Sequence, residues 1–181
     1  MGLKNKISTG HIYFLTMTVV NWIDVFTRPV YKNILIDSLK YNQENKGLVL
    51  YSWCLMTNHL HLIAEADEKT NLSGILRDFK KFTSKAIVNE IIENPHESRK
   101  HWMLDEFEFV GRNNPKIKNY KFWQDGNEAK EIVRVEFLEQ KLNYIHQNPV
   151  KSEVVNNAED YRYSSAIDYA GGKGLLDIIL V

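Results

Sequence analysis

Residues 55–65 read Leu-Met-Thr-Asn-His-Leu-His-Leu-Ile-Ala-Glu. His59 and His61 flank one apolar residue, Leu60, inside an apolar run. In a strand, side chains alternate between faces, so both imidazoles share one face while Leu60 and Leu62 enter a core. Two adjacent imidazoles form most of a small metal site, or a phosphate clamp. For an isolated His-x-His the plainer reading is two half-exposed rings, so the pair needs partners elsewhere.

The flanking sequence frames this strand. Residues 48–55 read as a second strand, joined to the third at 59–66 by the short connection 56–58, which makes a hairpin. Upstream, residues 11–20 are β-branched and aromatic and read as a first strand. Pro29 opens a helix over about 29–45, with Val30, Ile34, Leu35 and Leu39 at helical spacing and Gly47 as its stop. Asn71 is the expected N-cap of a helix reaching about residue 92. Asn94 and Pro95 end it and start an added helix over about 95–110. The aromatic stretch 120–124 reads as a fourth strand. A last long helix is expected over 135–147, stopped by Asn148 and Pro149.

The order β-α-β-β-α, an added helix, then β-α predicts an α+β, ferredoxin-like (RRM-like) antiparallel sheet with helices on one face, followed by a C-terminal extension. Strands one and three are central in that topology, which seats the histidines on a rigid strand. The 181 residues suit a single domain, 1–181, with a sizeable core. No linker or repeat is visible.

Composition sets outer limits. Hydrophobic residues make up 44% and mean hydropathy is −0.37, as in ordinary soluble proteins. No apolar run approaches the roughly 20 residues of a membrane span, and no secretion signal is visible. No membrane association is expected, and a cytoplasmic location is the default. One cysteine, Cys54, rules out an internal disulfide and cysteine-based zinc sites. The 23 basic and 23 acidic residues cancel. That argues weakly against a large nonspecific duplex-DNA binder but leaves room for a local groove. Arg77, Lys80, Lys81 and Lys85 crowd one segment, and Arg112, Lys116, Lys118 and Lys121 another. Each cluster is either a solvated face or a phosphate grip.

The last long helix supplies partners for the histidines. Tyr144 and Asn148 are four apart and stack on one helix face. The Asn148 amide oxygen could be a third ligand for Mg²⁺ or Mn²⁺, and Tyr144 sits one turn away. Gln140 and Gln147 are rival amide ligands on nearly the same face. A tyrosine hydroxyl is a weak nucleophile until a cation or base assists it. His146 lies roughly opposite Tyr144, and His11, His96 and His101 have no sequence partner. Glu65 shares the pleat face of His61 and could orient it as a hydrogen-bond acceptor.

These residues carry a family resemblance. The stretch 53–63, containing His59-Leu60-His61, resembles the His-hydrophobic-His strand of the REP-associated tyrosine transposases. Tyr144-Ile145-His146-Gln147-Asn148-Pro149-Val150 resembles their nucleophile helix. Phe122-Trp123-Gln124 and Tyr163-Ser164-Ser165-Ala166 resemble further signatures of that family, and the likeness runs from about residue 10 to the end. These are HUH single-strand nucleases, related to small insertion-sequence transposases. The resemblance implies cleavage and rejoining of single-stranded or hairpin DNA. Tyr144 would attack a phosphodiester to leave a 5′-phosphotyrosine and a free 3′-hydroxyl. His59, His61 and Asn148 would hold Mg²⁺ or Mn²⁺. On this reading the charge clusters are expected to contact DNA, Arg77, Lys80, Lys81 and Lys85 gripping phosphates with Lys116, Lys118 and Lys121 as a second candidate set. The location is expected to be nucleoid-associated, and a homodimer is possible. Two other readings are a domesticated hairpin-binding protein that does not cut, and an unrelated metallohydrolase of small phosphoesters.

Overall fold

The computed structural model describes residues 7–112 and 119–181. A four-stranded antiparallel sheet of order β2-β3-β1-β4 forms its centre. The strands are β1 (Tyr13–Thr18), β2 (Leu48–Leu55), β3 (His59–Ala66) and β4 (Lys130–Glu131). β1 and β3 are central, as the split β-α-β-β-α order implies. Their register sets Thr16 against His61 and Thr18 against His59. Leu15, Met17, Leu60 and Leu62 therefore point to one face, and Phe14, Thr16, His59 and His61 to the other.

The leucine face is covered by α1 (Pro29–Lys46) and α2 (Leu72–Glu93). Pro29 stands at the start of α1 and Gly47, at φ 71°, takes the left-handed conformation that ends it. Asn71 caps α2 by accepting the Gly74 backbone N–H at 2.7 Å. Leu35 and Leu39 of α1 and Leu76 and Phe79 of α2 are buried in one cluster with Leu15, Trp53, Leu60 and Leu62. These two helices share a face, as expected of the split pattern. A further helix, α3 (Lys100–Arg112), adds Met103 and Phe107 to the same core.

The last long helix, α4 (Val135–Lys151), takes the histidine face instead. Ile145 is buried with Phe14, Cys54 and Ile63 in a second, smaller cluster, flanked by Leu138 and Leu142. The apolar stripe 138, 142, 145, 149 docks on the sheet. The stripe one residue behind it, 141, 144, 148, consequently faces the side.

Three expected boundaries move. The fourth strand is not at 120–124. That stretch only skims the end of β1, with one bridge between Val19 and Trp123. Phe122 and Trp123 turn inward against Phe26, and regular pairing resumes at β4. The added helix starts at Lys100, because residues 94–99 form a turn around a buried carboxylate, Glu97. α4 runs through Pro149 to Lys151. Pro149 is buried in its final turn, and Ser152 N–H closes that turn on the Asn148 carbonyl.

The β2 edge of the sheet is covered. Residues 163–165 lie along β2: Leu55 N–H donates to the Tyr163 carbonyl and Ser165 N–H to that of Trp53. Ser165 Oγ also lies 2.9 Å from His146 Nε2, and Ser52 Oγ 3.1 Å from it. The Tyr-Ser-Ser motif thus closes the β2 edge and ties α4 to the sheet. A short helix, α5 (Ala166–Tyr169), follows. Among the described residues, no helix is long and apolar enough to cross a membrane.

Glu97 is only 4% exposed. Its carboxylate accepts from Arg28 Nε (2.9 Å), Arg99 Nε (3.3 Å) and the Tyr31 hydroxyl (3.0 Å). Burial opposes its ionisation, but the Arg99 and Tyr31 donors win and hold its pKa below the ordinary value. Replacing Glu97 with Ala strands two guanidiniums, both partly in solvent, so the cost sits near the low end of a broken buried pair, about 3 kcal/mol. A urea unfolding midpoint measures it. Because the folded pKa is depressed, this stabilisation is present above the unfolded pKa and fades as pH falls through the folded one. Glu97→Gln removes that acid-side loss.

Candidate metal and nucleophile site

A cleft of about 300 Å³ opens between β1, β3 and α4. Phe14, Thr16, His59, His61, Lys141, Tyr144 and Asn148 line it, with Trp22, Glu128 and Lys130 at its rim. The two imidazoles lie 4.6 Å apart, centroid to centroid. The Tyr144 ring stands edge-on to His61 at 5.3 Å and to Phe14 at 5.9 Å. Tyr144 is 41% exposed, so its ring reaches solvent through the cleft.

The hydrogen bonds of Asn58 fix the tautomer of His59. Asn58 Nδ2 donates to the Trp22 carbonyl (3.1 Å) and to Asp24 Oδ1 (3.0 Å). Its Oδ1 must then be the acceptor that meets His59 Nδ1 at 2.6 Å. His59 therefore carries its proton on Nδ1 and leaves Nε2 as a lone pair. His61 Nδ1 lies 3.0 Å from Thr16 Oγ1, and the ring also hydrogen-bonds the Leu15 backbone. His61 Nε2 is buried without a hydrogen-bond partner among the described residues. An orphaned buried ring nitrogen is costly unless something binds it.

Burial pushes the His59 pKa down to about 4, against a small opposing effect of Asp24. Burial, then His59 and Lys141, push His61 down to about 3. Both rings are neutral at pH 7, the state a metal ligand needs. Two imidazoles with an amide oxygen from Asn148 suit a divalent cation of borderline to hard character. No group of three His, Cys, Asp or Glu side chains gathers among the described residues. A third donor in this cleft would thus be an amide, and Asn148 lines it.

Other expected residues fall elsewhere. Glu65 does not orient His61; it accepts from the Tyr51 hydroxyl, and Thr16 with the Leu15 backbone takes the orienting role. Lys80 drops out as a free phosphate grip. Its ammonium donates to the carbonyls of Gln124 and Gly126 (2.7 Å each) and to Asn127 Oδ1 (3.3 Å), and burial lowers its pKa to about 8. Lys121 pairs with Asp125 at 2.6 Å. Arg77, Lys81 and Lys85 are exposed on α2, in the layer across the sheet from the histidines, with Arg77 paired to Asp78. Lys116 and Lys118 lie outside the described residues.

Sequence reasoning missed Lys141 and Lys130. Lys141 Nζ sits 4.8 Å from the Phe14 ring centre and 5.2 Å from that of Tyr144. Its place three residues before Tyr144 was a usable signal. It also missed Trp22, whose setting depends on a turn with no motif.

The sheet and the helix beside it bring two neutral imidazoles and a solvent-reaching tyrosine to one cleft. The chain belongs to the IS200-like transposase family, whose model matches residues 8–110, more than half of its length. That match takes in β1 through α3 and both histidines and stops before α4. A REP-associated tyrosine transposase bound to a REP hairpin shares the fold, with a TM-score of 0.65 at 19% identity over 97% of this chain and 89% of that one. A putative transposase from Deinococcus radiodurans R1 aligns at a TM-score of 0.45 and 18% identity, over 80% of this chain and 95% of that one. No curated protein matches the sequence.

Acid should destabilise the protein in part through the histidine pair, with His146, whose pKa burial also lowers to about 4, adding to the same slope. Below the unfolded pKa of 6.5 the unfolded chain takes up protons that His59 and His61 refuse, so stability falls from there down toward pH 4. Unfolding free energies at pH 7, 5.5 and about 4.5 measure the slope. The double variant His59→Gln, His61→Gln should show a shallower one.

Proposed function

We propose that the protein is a metal-dependent tyrosine transposase that cleaves and rejoins single-stranded DNA beside a hairpin. The observation that carries this reading is the meeting of Tyr144 with His59 and His61 in one cleft, rings 5.3 and 4.6 Å apart, with Asn148 one turn along. Membership of a transposase family and the fold shared with a hairpin-bound relative support it.

In this reading His59, His61 and Asn148 would hold Mg²⁺ or Mn²⁺. A bound divalent ion supplies Lewis-acid polarisation of the phosphoryl oxygens. The Tyr144 hydroxyl oxygen attacks phosphorus and gives up its proton to solvent at the cleft mouth. The P–O3′ bond breaks, the departing oxygen takes a proton as a 3′-hydroxyl, and the 5′ side stays on Tyr144. Attack by another 3′-hydroxyl reverses the step and restores a phosphodiester. One bond is exchanged for another, so no nucleotide hydrolysis is needed. Lys141 and Lys130 offset phosphate charge at the cleft. Arg77, Lys81 and Lys85, on the far layer, are left to grip more distant phosphates.

Incubation with Mn²⁺ and a stem-loop oligonucleotide bearing a single-stranded tail should give a covalent adduct that survives denaturing electrophoresis. Tyr144→Phe should abolish it and leave binding intact. Binding without an adduct under any divalent ion would instead support a hairpin-binding protein that does not cut. An adduct surviving in Tyr144→Phe would move the nucleophile elsewhere. Calorimetric Mn²⁺ binding should disappear in His61→Ala.

Lys141→Gln should lower the slope of log K against log salt by about 0.7 to 1. Anisotropy titrations at several salt concentrations measure this, and an unchanged slope would remove Lys141 from the phosphate contacts.

A further inference from the structure

The turn after β1 holds a large aromatic residue in an unfavourable place. Val20–Trp22 is a short 3-10 turn, but Asn21 and Trp22 both have left-handed backbones, at φ 52° and 55°. Asparagine tolerates that region; a bulky tryptophan is a genuine outlier there. Burial does not repay it, since Trp22 is 57% exposed. Its ring lies at the rim of the cleft, edge-on to His59 with centroids 6.0 Å apart.

The surroundings hold this strained turn firmly. Trp22 N–H donates to the Val19 carbonyl at 3.1 Å, and the Trp22 carbonyl accepts from Asn58, the residue that also orients His59. Asn21 Nδ2 donates to Glu106 on α3 at 2.8 Å, and α3 is fixed beneath by the buried Phe107. Stability is spent to keep an exposed indole beside the histidines. Such outliers persist where the surroundings over-determine them, typically at ligand sites. A flat, solvent-facing aromatic ring next to a phosphate-binding cleft fits an unpaired nucleobase. Bases within a duplex are already stacked on each other, whereas an unpaired base offers a free π-face to any aromatic surface.

We propose that Trp22 is the stacking platform for the unpaired base adjoining the phosphate held at His59, His61 and Tyr144. This rests on the single-stranded DNA reading above. Trp22 is a positioning residue: it sets which phosphate enters the cleft, and Asn58 links its carbonyl to the ring of His59.

The test uses the full chain in EDTA, so that binding is read without cleavage. The probe is a fluorescent stem-loop oligonucleotide with a dT tail, in which each tail nucleotide is replaced in turn by an abasic analogue. Trp22→Ala should weaken binding by roughly 5- to 100-fold, and Trp22→Phe by much less. One abasic position should reproduce the loss in the wild type and cause no further loss in Trp22→Ala. Trp22→Asn relieves the backbone, so its unfolding midpoint should equal or exceed the wild type while binding falls. A merely structural tryptophan would lose both together. Unchanged affinity in Trp22→Ala, or abasic losses that simply add to it at every position, overturns the proposal. If the wild type forms the Tyr144 adduct and Trp22→Ala is neutral, stacking fails and the nuclease reading stands. If the coupling appears but no adduct ever forms, the nuclease reading fails and stacking stands. A wild type that does not bind the probe overturns both.

Discussion

Everything at the cleft depends on the antiparallel register between β1 and β3. With Thr16 opposite His61, Leu60 and Leu62 fall on the α1 and α2 face and both imidazoles on the α4 face. A slip of one residue would reverse every side chain, burying the histidines among leucines and exposing the core. The apolar face therefore enforces the position of the polar one. Two central strands, hydrogen-bonded on both sides, give the imidazoles a rigid base.

The second constraint is the rotation of α4. Ile145 docks into the small cluster with Phe14 and Ile63, and His146 locks the helix to Ser52 and Ser165. Helical spacing then leaves no freedom for the neighbouring stripe, so Lys141, Tyr144 and Asn148 face the cleft. The residues that fix the helix and those that face the cleft differ by one position. This explains why a serine pair from the C-terminal segment matters to a site it does not touch: Ser165 reaches His146, and His146 sets the angle of Tyr144.

Much of this was legible in the sequence where periodicity and local chemistry agree. β3 spans His59–Ala66 and Asn71 caps α2 as read, since alternation and capping are local signals. Tyr144 and Asn148 were legible as one helix face. The failures come from contacts distant in sequence. Residues 120–124 have strand composition, but Phe122 and Trp123 serve the core against Phe26 and leave β4 to a weaker stretch. Lys80 looked like part of a basic grip until three oxygens of the 124–127 loop claimed it. The partner of His61 is Thr16 on the adjacent strand, whereas the nearby Glu65 turns to Tyr51. Trp22 gives no signal at all, because its left-handed backbone is imposed by Asn58 and α3.

The zero net charge also excludes less than its value suggests. Charge governs binding through the local field, and low-dielectric walls focus that field in a cleft. Lys141 sits over the Phe14 and Tyr144 rings, with Lys130 near enough to depress its pKa further. Several acidic residues, meanwhile, are spent on structural pairs: Glu97 on Arg28 and Arg99, Asp125 on Lys121, Asp78 on Arg77. Those acids lie away from the cleft, whose lining carries two lysines, Lys130 and Lys141, against one carboxylate, Glu128. A chain neutral as a whole can therefore present a local excess of positive charge at this cleft.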